Sequence, residues 1–82
     1  MWKNITFGQI RSLLTGLGFQ ELRGPKGSDL KHAESDTIFL FRPYRDTDPI
    51  KPAEVYHVRQ MLDARGLLDA DAFDDLLTKA RA

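Results

Sequence analysis

The chain has no cysteine among its 82 residues. Disulfide bonds and thiolate zinc sites are therefore excluded, and the composition fits a reducing compartment. Long apolar stretches are also missing, because the longest run covers only residues 38–41, whereas a membrane helix needs about 20 such residues. The N-terminal segment lacks the basic start and apolar stretch of a signal peptide. We therefore expect a cytoplasmic protein with no membrane partner.

An excess of charge of one sign is missing as well, since 12 Lys and Arg residues balance 12 Asp and Glu residues. This balance argues against a strongly basic nucleic-acid-binding protein. The charges are unevenly placed: residues 1–45 sum to +3 (seven basic against four acidic) and residues 46–82 to −3 (five against eight). Two interpretations stay open, namely chance scatter or a basic working half whose acidic counterpart limits nonspecific binding of polyanions.

The length of 82 residues predicts a single domain that spans residues 1–82. A chain of this size buries only about 60% of its unfolded surface, so one core must serve every element. The sequence contains no internal repeats, linkers or low-complexity tracts.

Apolar residues at helical spacing predict three helices. The first covers residues 6–17 and stops at Gly18, the second runs from Pro52 to Gly66, and the third covers residues 69–80. The apolar faces comprise Phe7, Ile10, Leu13, Leu14 and Leu17 in the first helix, Val55, Val58, Met61 and Leu62 in the second, and Phe73, Leu76, Leu77 and Ala80 in the third.

The third helix has the clearest end signals. Asp69 is a suitable N-cap, and Leu68 can pack against Phe73 as a hydrophobic staple. Basic residues in the last turn, Lys79 and Arg81, complement the helix dipole. These signals predict a helix that forms with defined ends.

Three short segments between the first two helices predict strands at residues 19–23, 28–33 and 37–42. A Gly-Pro-Lys-Gly turn at residues 24–27 and a Glu-Ser-Asp turn at residues 34–36 separate them. The third strand is apolar on both faces, which is typical of a central or well-covered strand.

The order α-β-β-β-α-α with short turns predicts an α+β fold, in which helices cover one face of a three-stranded antiparallel sheet. The double-stranded-RNA-binding fold has this α-β-β-β-α architecture. A fold alone does not define a function, so the candidate sites are considered individually.

His32 is the candidate for acid–base chemistry. A histidine can activate the 2′-hydroxyl of RNA or protonate the leaving oxygen. The alternative is a half-buried strand histidine that is hydrogen-bonded to its neighbours. The other histidine, His57, is expected at the surface or boundary of the second helix. With no cysteine and no pair of histidines at helical spacing, we expect no metal site and no cofactor.

The segment Arg42-Pro43-Tyr44-Arg45 is the candidate for RNA contact. Guanidinium groups bind phosphate in a forked geometry, and a tyrosine ring can stack on an unpaired base. Lys26 and Lys31 are expected to join this segment across the sheet. The alternative is a solvated loop in which Arg42 pairs with one of the two aspartates that follow it.

Three short motifs stand out along the chain. They are Leu13-Leu14 followed by Leu17-Gly18-Phe19, then Lys26-Gly27-Ser28, and finally Lys51-Pro52 opening a helix that ends near Gly66-Leu67. Together they resemble motifs of the HicA (YcfA-like) toxins. The resemblance covers about residues 6–68, so the helix at residues 69–80 is an addition. It implies the double-stranded-RNA-binding fold, endoribonuclease (mRNA interferase) activity on messenger RNA, and a HicB-like antitoxin as partner.

The family signature is Gly-Ser-His at the start of the second strand, and its histidine is catalytic. The corresponding run in this chain is Gly27-Ser28-Asp29, so aspartate occupies the histidine's position. If the chain cleaves RNA, we expect His32 to act as the general acid or base, with Lys31 and Arg42 at the phosphate. Ser28 is retained as an RNA-binding candidate.

The sequence therefore leaves two functions open. The leading hypothesis is a HicA-like protein that binds RNA and cleaves it as the toxin of a toxin-antitoxin pair. The alternative is a non-catalytic binding module on the same scaffold, for a protein partner or a homodimer. Asp29 at the position of the family's histidine favours the second function.

Overall fold

The computed structural model describes residues 5–81, with side chains described for residues 5–78. Three helices and three antiparallel strands form an α+β fold, and the predicted order of elements is confirmed. The elements are α1 (Phe7–Gly16), β1 (Gln20–Gly24), β2 (Gly27–His32), β3 (Thr37–Phe41), α2 (Pro52–Ala64) and α3 (Ala70–Arg81).

Local capping interactions explain where the helices begin. Thr6 and Gln9 form a capping box at α1, in which the Thr6 hydroxyl accepts from the Gln9 backbone N–H and the Gln9 side chain accepts from the Thr6 backbone N–H. Pro52 lies at the start of α2. At α3, the Asp69 carboxylate accepts from the backbone N–H of Ala72 at 2.8 Å, as its sequence position predicts. The predicted contributions of Lys79, Ala80 and Arg81 lie outside the described side chains.

The sheet has the order β1-β2-β3, so β2 is the central strand. The prediction that β3 is central or well covered is wrong. Phe39 is buried, but Ile38 and Leu40, on the opposite face of the strand, are 50% and 70% exposed. The reason is topological, because a meander in chain order leaves its third strand at the edge and the helices pack on one sheet face only.

One apolar core lies between the helices and the covered face of the sheet. Its buried side chains are Ile5, Phe7, Ile10, Leu14, Phe19, Leu30, Phe39, Phe41, Ile50, Val55, Val58, Leu62, Phe73 and Leu77. Leu13, Leu17 and Met61 are partly buried against this core. Leu76, predicted to lie on the apolar face of α3, is 44% exposed.

The loop between β3 and α2 is anchored to the start of α1. Backbone N–H groups of Phe7 and Gly8 donate to the carbonyls of Asp48 and Asp46, each at 2.9 Å. The Asp46 carboxylate accepts from the guanidinium groups of Arg11 and Arg23. This stretch is therefore anchored to α1, yet most of its residues are exposed, as the predicted alternative of a solvated loop implies.

Among residues 5–81, no helix is long and apolar enough to cross a membrane.

Candidate functional site

His32 lies at the end of β2, opposite Thr37 on β3. Its Nδ1 is 2.8 Å from the Ser35 hydroxyl, and the backbone N–H of Ser35 donates to the same nitrogen at 3.3 Å. The Ser35 hydroxyl is in turn 2.8 Å from the Thr37 hydroxyl. The imidazole is thus held by the turn that follows its own strand.

This hydrogen bonding selects a tautomer. Because Nδ1 accepts from a backbone N–H, the neutral ring carries its proton on Nε2. Gly18 faces this side of the ring, and a Cβ at that position would lie 3.6 Å from Nε2. The Phe19 ring packs against the imidazole with centroids 5.1 Å apart. The ring is therefore fixed in orientation, with a glycine opposite its Nε2.

An open pocket of ≈ 360 Å³ surrounds this end of the sheet. Its lining includes His32 itself, Gly18, Gln20, Lys31 and Glu34. Lys31 is exposed and contributes positive charge at the pocket. Lys31 and Glu34 contribute opposite charges to this pocket, and Lys31, like Asp29, lies on the open face of the sheet, opposite to the face of His32.

Ser35, Thr37, Gly18 and Arg65 were not among the residues predicted for the site. The Arg65 guanidinium donates to the backbone carbonyl of Ser35 at 3.0 Å and so ties the end of α2 to the turn. The Glu-Ser-Asp turn was visible in the sequence, and a serine three residues after a strand histidine was the available signal. The contact from Arg65 had no such signal, because it joins residues 30 positions apart.

The remaining predicted residues do not gather around His32. Lys26 is exposed in the turn between β1 and β2, and Arg42 follows β3 beside Gly27. His32 lies opposite Thr37, at the other end of these strands. Five strand residues span about 17 Å. The prediction that Arg42 acts at the same phosphate as His32 is therefore wrong, although Arg42 can contact a phosphate further along an RNA strand.

Ser28 and Asp29, the two residues compared above with the Ser-His of the HicA signature, lie on opposite faces of β2. The Ser28 side chain is 1% exposed, so the prediction that it contacts RNA is not supported by its position. Asp29 lies opposite Leu40, which is 70% exposed, on the open face of the sheet. Because strand residues alternate, Asp29 points away from the face that carries His32. His32 therefore does not replace a histidine of the motif in space.

Both the ring and the hydroxyl of Tyr44 make contacts within the protein. Its ring stacks on Phe7 with centroids 5.6 Å apart, and its hydroxyl donates to the Glu54 carboxylate. Burial raises the pKa of the Tyr44 phenol above its ordinary value, and the hydrogen bond to Glu54 adds to this effect. One face of the ring is thus occupied, which limits the stacking on a base that the sequence predicts.

The two arginines of the segment differ in their contacts. Arg45 is exposed and lies 3.4 Å from the Asp48 carboxylate. Within the described side chains, Arg42 forms no ion pair, so its predicted pairing with a following aspartate is not observed. Arg42 and Lys26 thus present positive charge at the end of the sheet away from His32.

His57 is exposed on α2 and contacts the Phe39 ring edge-on, with centroids 5.8 Å apart. Among the described residues, no group of three or more His, Cys, Asp or Glu side chains is arranged to hold a metal ion.

A scan against models of protein families finds no match, and searches of curated proteins and of solved structures find none either.

Proposed function

We propose that the protein is a HicA-like RNA-binding domain that cleaves RNA, with His32 as its catalytic residue. The observation that carries the proposal is the imidazole held through Nδ1 by Ser35, with Nε2 facing Gly18 in an open pocket beside Lys31. The α-β-β-β-α order, read as a double-stranded-RNA-binding-like fold, supports it. The resemblance to the HicA toxins makes a HicB-like antitoxin the proposed protein partner.

In the proposed reaction the 2′-oxygen of a ribose attacks the adjacent phosphorus, and the bond from phosphorus to the 5′-oxygen breaks. His32 acts as the general acid: Nε2 gives its proton to the leaving 5′-oxygen, while water accepts the proton of the 2′-hydroxyl. Donation of the Nε2 proton needs the imidazolium form, in which Nδ1–H donates to the Ser35 hydroxyl 2.8 Å away and no longer accepts from the Ser35 backbone N–H. The products are a 2′,3′-cyclic phosphate and a 5′-hydroxyl.

Positive charge at the two ends of the sheet supports binding of an extended strand. Lys31 lies at the His32 pocket, and Lys26 with Arg42 lies about 17 Å away along the strands. Such contacts neutralise phosphates and release counterions, so affinity for RNA should fall as salt rises.

The test is cleavage of a mixed-sequence single-stranded RNA by the purified protein and by three variants. We expect His32→Ala to lower the cleavage rate by about 10²–10⁴-fold, which is the usual contribution of a general acid. Ser35→Ala should lower the cleavage rate by about tenfold and leave the affinity for RNA unchanged, because Ser35 orients the His32 imidazole and does not contact the RNA. The control is His57→Ala, which should cleave like the wild type.

Cleavage by His32→Ala at the wild-type rate would contradict the assignment of His32. Binding of RNA without cleavage by the wild type would leave an RNA-binding domain and remove the catalytic half of the proposal.

The second candidate function is the non-catalytic binding module. Two observations favour it: Asp29 at the position of the family's histidine, and the large apolar side chains exposed on the open face of the sheet, of which Leu22 is 73% exposed. Induction in a bacterial host separates the two functions. Growth arrest that His32→Ala abolishes supports the toxin, whereas normal growth with either protein supports the module.

A further inference from the structure

Within residues 5–81, the backbone groups on the outer edge of β3 have no hydrogen-bond partner. A Cβ added to Gly27 would overlap the carbonyl oxygen of Phe41, so the backbone of Phe41 faces β2. Because backbone groups alternate along an antiparallel strand, the N–H and C=O groups of Ile38 and Leu40 point the other way. The side of β3 away from β2 carries no further strand among residues 5–81.

A groove follows this edge. It has a volume of ≈ 270 Å³ and is lined by residues 38–41 of β3 together with Glu54 and His57 of α2. Consecutive strand residues point to opposite faces, so only the edge of β3 brings all four into one cavity. The groove therefore lies where an added strand would sit.

Apart from its short length of five residues, β3 lacks the sequence features that usually protect an edge strand against pairing. Its residues Thr37–Phe41 include no charge, proline or glycine, and its register with β2 is continuous, without a bulge. Ile38 and Leu40 are 50% and 70% exposed.

Charges at the two ends of β3 indicate which strand would pair with its edge. Asp36 precedes the strand and Arg42 follows it, and neither forms an ion pair within the described side chains. Antiparallel pairing of two β3 strands about Phe39 puts Asp36 of each copy opposite Arg42 of the other. A parallel arrangement would bring like charges together. A shift toward Pro43 would place a residue without an N–H in the new ladder.

We propose that a second copy of this chain binds along β3 and forms an antiparallel dimer with one continuous sheet. Ile38 of each copy exchanges backbone hydrogen bonds with Leu40 of the other, and Phe39 meets its own counterpart at the two-fold axis. The dimer leaves the His32 pocket open, since that pocket lies at the end of the sheet beside Gly18 and Gln20. Arg42 then faces Asp36 of the other copy, so Lys26 is the remaining phosphate contact at the far end of the sheet.

Sedimentation equilibrium of the full chain at increasing concentration tests the dimer. We expect the wild type to dimerise and Leu40→Pro to dimerise at least about tenfold more weakly, because it removes an outward N–H from each copy. Proline is tolerated where the N–H of an edge strand faces solvent. The control is Leu22→Lys, which changes the same sheet face on the opposite edge strand, β1, and should dimerise like the wild type.

Amide hydrogen exchange of the wild type gives a second measurement that needs no variant. We expect protection of the Ile38 and Leu40 amides to rise with protein concentration, while that of Phe39 and Phe41 stays constant. A wild type that is monomeric at all concentrations, or concentration-independent exchange of the Ile38 and Leu40 amides, would overturn the proposal. Dissociation caused by Leu22→Lys would also overturn it, because the association would then use the open face of the sheet.

Discussion

Asp46 shows how one charged residue organises a loop. Its carboxylate accepts hydrogen bonds from Arg23 at 2.7 Å and from Arg11 at 3.0 and 3.2 Å, and so joins the loop to β1 and α1. These hydrogen bonds, first from Arg23 and then from Arg11, hold the pKa of Asp46 below its ordinary value of 3.8. The folded state therefore favours the ionised carboxylate.

The lowered pKa predicts how stability depends on pH. A carboxylate whose pKa is lower in the folded state stabilises the protein above its ordinary pKa, and this contribution is lost as the pH falls through the folded-state pKa. We expect Asp46→Asn to be less stable than the wild type at neutral pH, with the difference shrinking below pH 3.8. Urea unfolding at several pH values measures this. Asp75→Asn on α3 is the control, and a difference that persists in acid would contradict the mechanism.

At the residue scale, the sequence predicted the local environment of His32 better than it predicted which other site residues lie near it. A half-buried strand histidine with hydrogen bonds to nearby residues was one of the two interpretations, and the Ser35 contacts confirm it. Its catalytic role stays a prediction. The separation of His32 from Arg42 was contained in the predicted hairpin, because the turn at residues 34–36 puts His32 beside it and Arg42 at the far end, and the observed register has this arrangement.

At the scale of elements, Gly27 allows β2 and β3 to approach closely. Its φ is +139°, which side-chain-bearing residues rarely adopt, and a Cβ would collide with the Phe41 carbonyl oxygen. The sequence identified this glycine as part of a turn. Its contact with β3 appears only when the third strand is in place.

We expect Gly27→Ala to lower the free energy of unfolding by at least about 2 kcal/mol, because it adds backbone strain and a steric clash. Gly16→Ala is the matched control, since a Cβ at Gly16 would meet nothing within 4 Å. The control should raise stability by up to about 1 kcal/mol, as alanine suits a helix better. Denaturant unfolding compares the two variants, and equal effects would contradict this account.

The helices were more predictable than the coverage of the sheet. Caps and apolar spacing are local properties, and they placed α1 and α3 at nearly their observed bounds. The run at residues 38–41 was interpreted as covered on both faces. Whether a strand face is covered depends on where the helices pack, and no local pattern of the strand contains that information.

At the scale of the whole molecule, α3 belongs to the single core. Phe73 and Leu77 are buried among side chains from α1, α2 and the sheet. The helix therefore contributes to the stability of the entire domain, although the resemblance to HicA toxins ends near residue 68. A small domain has few such large buried side chains to lose.

We expect Phe73→Ala to lower the free energy of unfolding by about 3–5 kcal/mol, through lost apolar burial and the cavity that remains. Leu76→Ala on the same helix is the control, and since Leu76 is 44% exposed it should change stability by less than about 1 kcal/mol. Thermal and urea unfolding measure both variants. A small effect of Phe73→Ala would show that α3 is not part of the cooperative core.

The sequence by itself determined the elements, their order and their ends, because capping residues, turn glycines and apolar spacing act between neighbours in the chain. The short length of the chain also indicated that all of its helices and strands would pack against one core. Tertiary structure alone decided which sheet face is open, that Ile38 and Leu40 are exposed on it, and that Arg65 after α2 contacts the turn that follows His32. These features depend on strand register and helix placement, which arise from contacts between residues distant in sequence.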